Sequence, residues 1–519
     1  MQMNYLLTAR EMKKADTAMS KQFGIHSLVL MERAAVSAFS IIREHYSQDR
    51  SFLIFCGCGN NGGDGIALAR LLFLAGSNVT LVIPDDISKC SDAFTVQLHT
   101  VQEYKLAMIS YSDIRKDDQP LQCDCIVDAL FGIGINRDLT EPFLSVIRTI
   151  NQRDPSVHCI SLDIPSGIHT DTGKIMGECI RADLTIAFSF LKLGLMRYPG
   201  CEYTGEVVLG DAAITEHALD ETPRYFTYTR QDIMDRLPVR KGDSNKGSYG
   251  KVLLFAGSKN MAGAAILCAN ACFYTGVGMV KVITCEQNRM ILQTAVPEAM
   301  LFTYEPDEKL TLGEELVLWA DSILIGPGIS TQPNACEVMK QLLLLLQHHP
   351  EKQLIVDADG LNILAQDVEI WELLWACHCQ KYLTPHPGEL SRLTKVPVDK
   401  LRESPEESTC SFRQNLSDTI LIAKDSRTLV YDRDSNRIYI NTTGNDGMAT
   451  AGSGDVLAGI LAGLSAQRQI LPISSKPFDI ACLAVGYHGL LGDLAAAKYG
   501  KAAMKAGDLI RDTFSMEEK

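Results

Sequence analysis

Residues 441–459 read NTTGNDGMATAGSGDVLAG, a glycine-rich turn that sets one acid, Asp455, beside backbone amides carrying little or no side chain. Gly452 and Gly454 can take backbone angles closed to other residues, so successive N–H groups can converge on an anion while Asp455 accepts a proton. That combination suits phosphoryl transfer. Val456, Leu457, Ala458, Ile460 and Leu461 follow at once. They predict a buried helix starting at the acid, whose dipole adds to the anion hole. A bare GSGD fits an ordinary loop-to-helix turn equally well; the longer string around it favours chemistry.

A second string, CGCGNNGGDG over residues 56–65, lies between an apolar strand-like run and a helix predicted over 66–75. Its five glycines allow the backbone close to a phosphate, and Asn60, Asn61 and Asp64 add side-chain hydrogen bonds. It occupies the place of the dinucleotide fingerprint GxGxxG without matching it, and a tight structural turn is the plainer alternative. Two further strand ends carry acids, Asp128 in VDALFGIGINRD and Asp163 in DIPSG. A parallel sheet brings such loops to one edge, so acids distant in sequence can share a crevice. Asp128, Asn61 and the Ser166 region offer the hard oxygens that an alkali cation or magnesium prefers, although each acid alone could equally cap a helix.

Those loops need a scaffold. Short apolar runs ending in Gly, Asp or Asn alternate with helical patterns in two successive series, the signature of buried parallel strands in α/β domains. Residues 214–228 (ITEHALDETPRYFTY) are polar, acidic and aperiodic, and read as the junction. The expected domains are therefore 1–213 and 229–519, consistent with two or more cores in 519 residues.

A net charge of −14 with no long basic stripe argues against a nucleic-acid or membrane-surface binder. The N-terminus lacks the apolar core of a signal peptide, and the uninterrupted apolar runs fall far short of about 20 residues, so a cytoplasmic protein without a membrane helix is expected. Sixteen scattered cysteines fit reduced thiols, and the CxC pairs Cys56/Cys58, Cys123/Cys125 and Cys377/Cys379 lack the CxxC spacing of structural zinc.

With KKAD (residues 13–16), GNNGGDG, DALFGIG and DIPSGIHTDTG, residues 1 to about 212 resemble the YjeF N-terminal family, the NAD(P)HX epimerases. The resemblance implies a Rossmann-like three-layer α/β domain. It implies that Asn60, Asn61, Gly62, Gly63, Asp64, Gly132, Ile133, Gly134, Ile135, Asn136, Arg137, Asp138 and Asp163 contact the hydrated nucleotide, and that Asn61, Asp128 and Ser166 hold potassium. Epimerising the hydroxyl-bearing C6 needs a proton carrier, for which Asp163 and Asp128 are both candidates. A cation on Asp128 would hold its pKa low and favour Asp163.

From about Ile233 the strings NKGSYGKVLLFAGS, GPGIS, DADGLN, TPHPGE and TGNDGMATAGSGDVLAG resemble the YjeF C-terminal family, ADP- or ATP-dependent NAD(P)H-hydrate dehydratases of ribokinase-like fold. The resemblance implies Mg²⁺ and an adenine nucleotide as cofactors. It assigns Ala265, Gly328, His386 and Asp455 to the substrate, and Lys424, Asp425, Ser426, Arg427, Thr428 and Gly454 to the nucleotide. A core or capping histidine is the alternative for His386, and Glu389 could approach magnesium. KDSRT at 424–428 departs from the family's usual KGAGT, which leaves ADP against ATP open; Arg427 could contact phosphate instead.

The combined expectation is an isomerase and a lyase in one chain. One half epimerises NADHX and NADPHX; the other phosphorylates the C6 hydroxyl of the S form, with Asp455 as base, so that phosphate can leave. A homo-oligomer is expected. The alternative is a vitamin or sugar kinase joined to a non-catalytic N-terminal binding module.

Overall fold

A computed structural model describes residues 4–46, 51–116, 121–305, 310–433, 436–472 and 476–511. The chain divides into two compact units, Met1–Phe226 and Thr227–Lys519. The cut falls inside the polar stretch 214–228. Ile214 and Ala218 from that stretch are packed with Leu7, Met12 and Ala15 in the first unit's core.

The first unit holds a seven-stranded, all-parallel sheet in the order Ala107–Ser110, Asn78–Ile83, Ser51–Cys56, Cys125–Ala129, His158–Leu162, Leu184–Phe188, Glu206–Gly210. Strand Ser51–Cys56 lies between Asn78–Ile83 and Cys125–Ala129, so the winding reverses there and opens a crevice at the strands' carboxyl ends. Helices from both series of crossovers bury separate apolar clusters on the two faces of the sheet. A short strand, Asn4–Leu7, pairs in parallel with Leu191–Lys192, matching Leu7 to Lys192.

The helix after the first sheet strand spans Asn60–Leu74, beginning six residues before the expected start at 66, so NNGGDG is its first turns and not a loop. Several of the glycines there have a packing role. A Cβ on Gly62 would lie 1.8 Å from the Gly57 carbonyl oxygen, and one on Gly65 would lie 2.5 Å from the Ala129 Cβ. Each helical glycine costs up to about 1 kcal/mol in propensity, which the tight seat of helix on strand offsets.

In the second unit, seven parallel strands run Met300–Tyr304, Met279–Cys285, Lys251–Phe255, Ser322–Ile325, Gln353–Val356, Gln380–Leu383, Thr419–Ala423, followed by the antiparallel pair Leu429–Tyr431 and Ile438–Ile440. The winding reverses at Lys251–Phe255. Helix Ser453–Ala466 begins two residues ahead of Asp455, which therefore sits in its first turn, and it is buried almost all round.

Helix Pro477–Tyr499 is 23 residues long and apolar enough, by length and composition alone, to cross a membrane. Gly486, Tyr487, His488 and Asp493 interrupt its apolar residues and hide it from a search for uninterrupted runs. In the fold, 78% of its apolar window is buried, much of it against helix Ser453–Ala466.

Candidate functional site

In the first unit the reversal of the sheet collects three of the expected loops. Gly132 marks the meeting point: a Cβ there would be 3.5 Å from both the Asn61 Cβ and the Asp163 Oδ2. Asp163 has a left-handed backbone, φ 67°, an uncommon state for a non-glycine residue that often accompanies function. Its carboxylate accepts the Phe188 N–H at 3.3 Å and is ion-paired with the Lys192 ammonium. Lys192 is fully buried, and its Nζ also donates to the Phe188 carbonyl oxygen at 2.9 Å. Asp64 is driven well up from its ordinary pKa by burial, with the charges of Asp163 and Asp16 adding. An acid cluster with one buried cation thus lines this part of the crevice.

Asp128 has a different environment. Its side chain is completely buried and accepts four hydrogen bonds, from Ser166 Oγ (2.6 Å), Ser166 N (2.8 Å), Ser161 Oγ (2.9 Å) and Leu130 N (3.2 Å). Burial raises its pKa, and the bonds from Ser166, Leu130 and Ser161 act against that rise. Sealed from solvent and held in place by four donors, it is poorly arranged to shuttle a proton.

The donor set nevertheless suits an alkali cation. Asn61 donates through Nδ2 to the Leu162 carbonyl oxygen at 3.3 Å, leaving Oδ1 buried with no hydrogen-bond partner. An orphaned buried acceptor costs about 1–3 kcal/mol unless something cationic or protic meets it. A neutral amide oxygen, the Ser166 hydroxyl and the Asp128 carboxylate are hard ligands of the kind potassium takes.

Of the remaining expected contacts, Asn60 and Gly134 are exposed, as are Asn136, Arg137 and Asp138, whereas Ile135 is buried in the core and points away from solvent. Gly63 packs on the Met31 side chain. Cys56 and Cys58 diverge: Cys56 is buried with its thiol toward the Ile54 carbonyl oxygen, and the Cys58 sulfur meets Cys90 at 2.7 Å.

In the second unit, Gly452 takes φ 91° as the N-cap of helix Ser453–Ala466, with a buried Ser453 side chain that meets His488 Nε2 at 3.3 Å. Among the described residues the Asp455 carboxylate has no hydrogen-bond partner. Burial, aided by Asp357 and opposed by Lys424, pushes its pKa up to about 6. Lys424 Nζ lies 3.4 Å from where a Gly454 Cβ would stand and 2.7 Å from Asp357 Oδ1, which also accepts the Thr384 hydroxyl at 2.7 Å. Burial alone would lower the Lys424 pKa, but Asp357, Glu389 and Asp455 together raise it. An acid poised near neutrality thus stands at a helix N-terminus beside a fixed ammonium, an arrangement able to deprotonate a hydroxyl and neutralise a phosphoryl group.

KDSRT splits in the fold. Lys424 turns inward, while Asp425 pairs with Arg402 at 3.0 Å, Ser426 is exposed, and the Arg427 guanidinium donates to the Thr442 carbonyl oxygen at 3.4 Å. Thr428 Oγ1 donates to the Asp425 carbonyl oxygen at 3.2 Å. His386 is a helix cap: its Nδ1 accepts the Gly388 and Glu389 N–H groups at 3.0 and 3.4 Å, and the Glu389 carboxylate accepts the His386 N–H at 2.8 Å. Burial and the charges of Lys424 and Arg392 lower the His386 pKa, so the ring is neutral at pH 7. Glu389 is engaged in that cap and pushed up to about 7, chiefly by burial. Gly328, φ 63°, packs on Ala264 and Met261, and Ala265 is fully buried beneath Gly257; both lie at the second unit's sheet reversal.

Two residues escaped the sequence reading. Asp357 stood in DADG, the same strand-end acid pattern as Asp163. Lys192 left only a faint signal, a lone cation in the apolar run FSFLKLGL.

Fold and site together define a two-unit α/β protein with parallel sheets, each unit carrying acids at the crevice where its sheet reverses. The family model described as NAD(P)H-hydrate dehydratase matches residues 252–514, and that of the YjeF-related protein N-terminus matches 27–194. The bifunctional NAD(P)H-hydrate repair enzyme Nnr of Moorella thermoacetica is 36% identical, covering 98% of this chain and 95% of that protein. Its counterpart in Thermofilum pendens is 33% identical, covering 96% and 94%. Among solved structures, the ADP/ATP-dependent NAD(P)H-hydrate dehydratase of Bacillus subtilis, co-crystallized with ATP/Mg²⁺, is 26% identical over 56% of this chain and 97% of that one, with a TM-score of 0.47. This chain belongs to the bifunctional NAD(P)H-hydrate repair enzymes, joining an epimerase domain to a dehydratase domain.

Proposed function

We propose that Asp163 is the proton carrier of the epimerase and Asp455 the base of the dehydratase, which uses ADP or ATP as phosphoryl donor. In the first unit, the R and S hydrates interconvert when the C6 hydroxyl leaves as water and returns on the other face, or when the ring opens and closes. Either route needs a group that gives and takes a proton. Asp163 suits this better than Asp128, because Asp128 is fully buried and fixed by hydrogen bonds while Asp163 borders the crevice. Lys192 acts through Asp163: its ammonium fixes the carboxylate's orientation and compensates its charge. Asn61, Asp128 and Ser166 would hold potassium, which supplies a fixed positive charge to the crevice when bound.

In the second unit, the C6 hydroxyl attacks the terminal phosphorus of the nucleotide as Asp455 takes its proton, and the bridging oxygen departs with the nucleotide. The ring nitrogen then expels phosphate from C6, and C5 gives up a proton to restore the dihydropyridine. Phosphorylation is needed because hydroxide leaves poorly. The N–H groups of the first turn of helix Ser453–Ala466 and Lys424 meet the developing charge. Asp357, with nucleotide phosphates, would hold Mg²⁺, an ion normally bound by one or two carboxylates plus phosphate oxygens. Sixteen cysteines scattered through the chain, most of them buried, fit a cytoplasmic, reducing setting.

The observation that carries this reading is Asp455, unbonded among the described residues and raised to about 6 at the mouth of a helix N-terminus. Its test is incubation of a mixed-epimer hydrate with ADP or ATP, following NADH absorbance and free phosphate. Wild type should consume both epimers, and Asp163→Asn should stall with the R form remaining. Equal consumption by the variant, or a stable phosphorylated product without NADH, would overturn it.

A further inference from the structure

A cavity of about 660 Å³ in the first unit is lined by Arg10, Lys13, Lys14 and Lys21 from helix Ala9–Lys21 and by Ile133 and Gly134. In a chain of net charge −14, four cations around one hollow stand out. Asp220 is the acid on the cavity wall, and it engages Lys14 at 3.3 Å, leaving Arg10, Lys13 and Lys21 exposed around it without a carboxylate partner among the described residues. Glu11 faces away, closing a capping box on Thr8, and Asp16 is directed to the acid cluster, where it acts on Asp64.

The same short loop joins this cavity to the catalytic crevice. Gly132 touches the neighbourhood of Asn61 and Asp163, and Ile133 and Gly134, next along the chain, form part of the cavity wall. A ligand with a neutral reactive ring at one end and phosphates further along could therefore span from Asp163 to the lysines. We infer that this cavity is an anion subsite of the epimerase that holds the phosphate groups of the hydrated dinucleotide. The inference rests on the proposed epimerase reading of this unit. Its physical content is that ammonium and guanidinium groups attract phosphate and anchor the half of the substrate that does not react, contributing to binding and not to the chemical step.

The test uses the full-length protein with Arg10→Ala, Lys13→Ala and the double variant, three arms of substrate, and steady-state epimerisation. The arms are NADHX, NADPHX with its additional 2′-phosphate, and the hydrate of reduced nicotinamide mononucleotide, which bears one phosphate. KM for the dinucleotide hydrates should rise about tenfold in the double variant, with kcat within about twofold, consistent with loss of charge-assisted contacts at an accessible site. The rise should be larger for NADPHX if the 2′-phosphate is among the groups held, and smallest for the mononucleotide; raising ionic strength should shrink it. Dehydration of pure S hydrate by the same chains should keep its KM, which controls for folding. An unchanged dinucleotide KM, or a fall in kcat alone, overturns the subsite. If wild type fails to epimerise at all, it is the epimerase reading that falls, and the subsite is then read from lysine acetylation: protection of Lys13 and Lys21 by NADPHX supports it, and equal labelling with and without ligand overturns it.

Discussion

Asp455→Asn should abolish dehydration and at the same time make the second unit more stable. Raising the carboxyl from 3.8 to about 6 corresponds, at about 1.36 kcal/mol per pH unit, to a cost of about 3 kcal/mol for keeping it ionised in the folded protein at pH 8. Because the folded pKa lies above the unfolded one, that cost is fully present above pH 6, falls to roughly half by pH 5, and vanishes below 3.8. Asparagine has nearly the same shape and carries no charge, and Asp455 has no hydrogen bond among the described residues for it to break. For a unit of this size, about 2–4 °C per kcal/mol translates the gain into a rise in Tm of roughly 6–12 °C at pH 8. Loss of a general base should cost about 10² to 10⁴ in the dehydration rate. Thermal unfolding of wild type and variant at pH 8 and pH 5, beside NADH formation from the S hydrate, measures both effects. A variant that is inactive yet no more stable at pH 8, or whose gain does not shrink at pH 5, would refute the electrostatic argument. One that still dehydrates would refute the assignment of the base.

Lys192→Met strips the buried partner from Asp163, whose side chain is only 15% exposed; the first unit should lose about 3–5 kcal/mol, and epimerisation should fall while S-hydrate dehydration persists. Lys424→Met leaves Asp357, 1% exposed, as an unpaired buried charge, so the second unit should lose a similar amount, with nucleotide KM raised and epimerisation intact; isothermal denaturation beside both activity assays checks it. Potassium chloride should raise the first unit's melting temperature above that in tetramethylammonium chloride of equal ionic strength, by about 2.7 kcal/mol of stability at a hundred times Kd, and Asn61→Leu should erase the difference.

Much of this molecule could be read from its residues in order. The acids at strand ends, the small residues around Asp455 and the alternation of apolar runs with helices are local patterns, and neighbours along the chain suffice to interpret them. The packing role of the glycines in NNGGDG was not legible, because a glycine that admits a phosphate and one that admits another backbone look identical in sequence; the 1.8 Å approach of a Gly62 Cβ to the Gly57 carbonyl oxygen is a fact of the fold. His386 and Glu389 were ambiguous for the same reason, and the turn they close makes them a cap. What tertiary structure alone decided was pairing. Lys192 reaches Asp163 because Leu191–Lys192 registers against Asn4–Leu7. Lys424 reaches Asp357 because two parallel strands end side by side across Gln380–Leu383, and the orphaned Asn61 oxygen exists only where helix, loop and sheet edge converge. A sequence determines which groups can be ionised and roughly where the chain turns; which charges are desolvated, and which of them meet, depends on sheet register and burial, and those set the electrostatics on which both reactions rest.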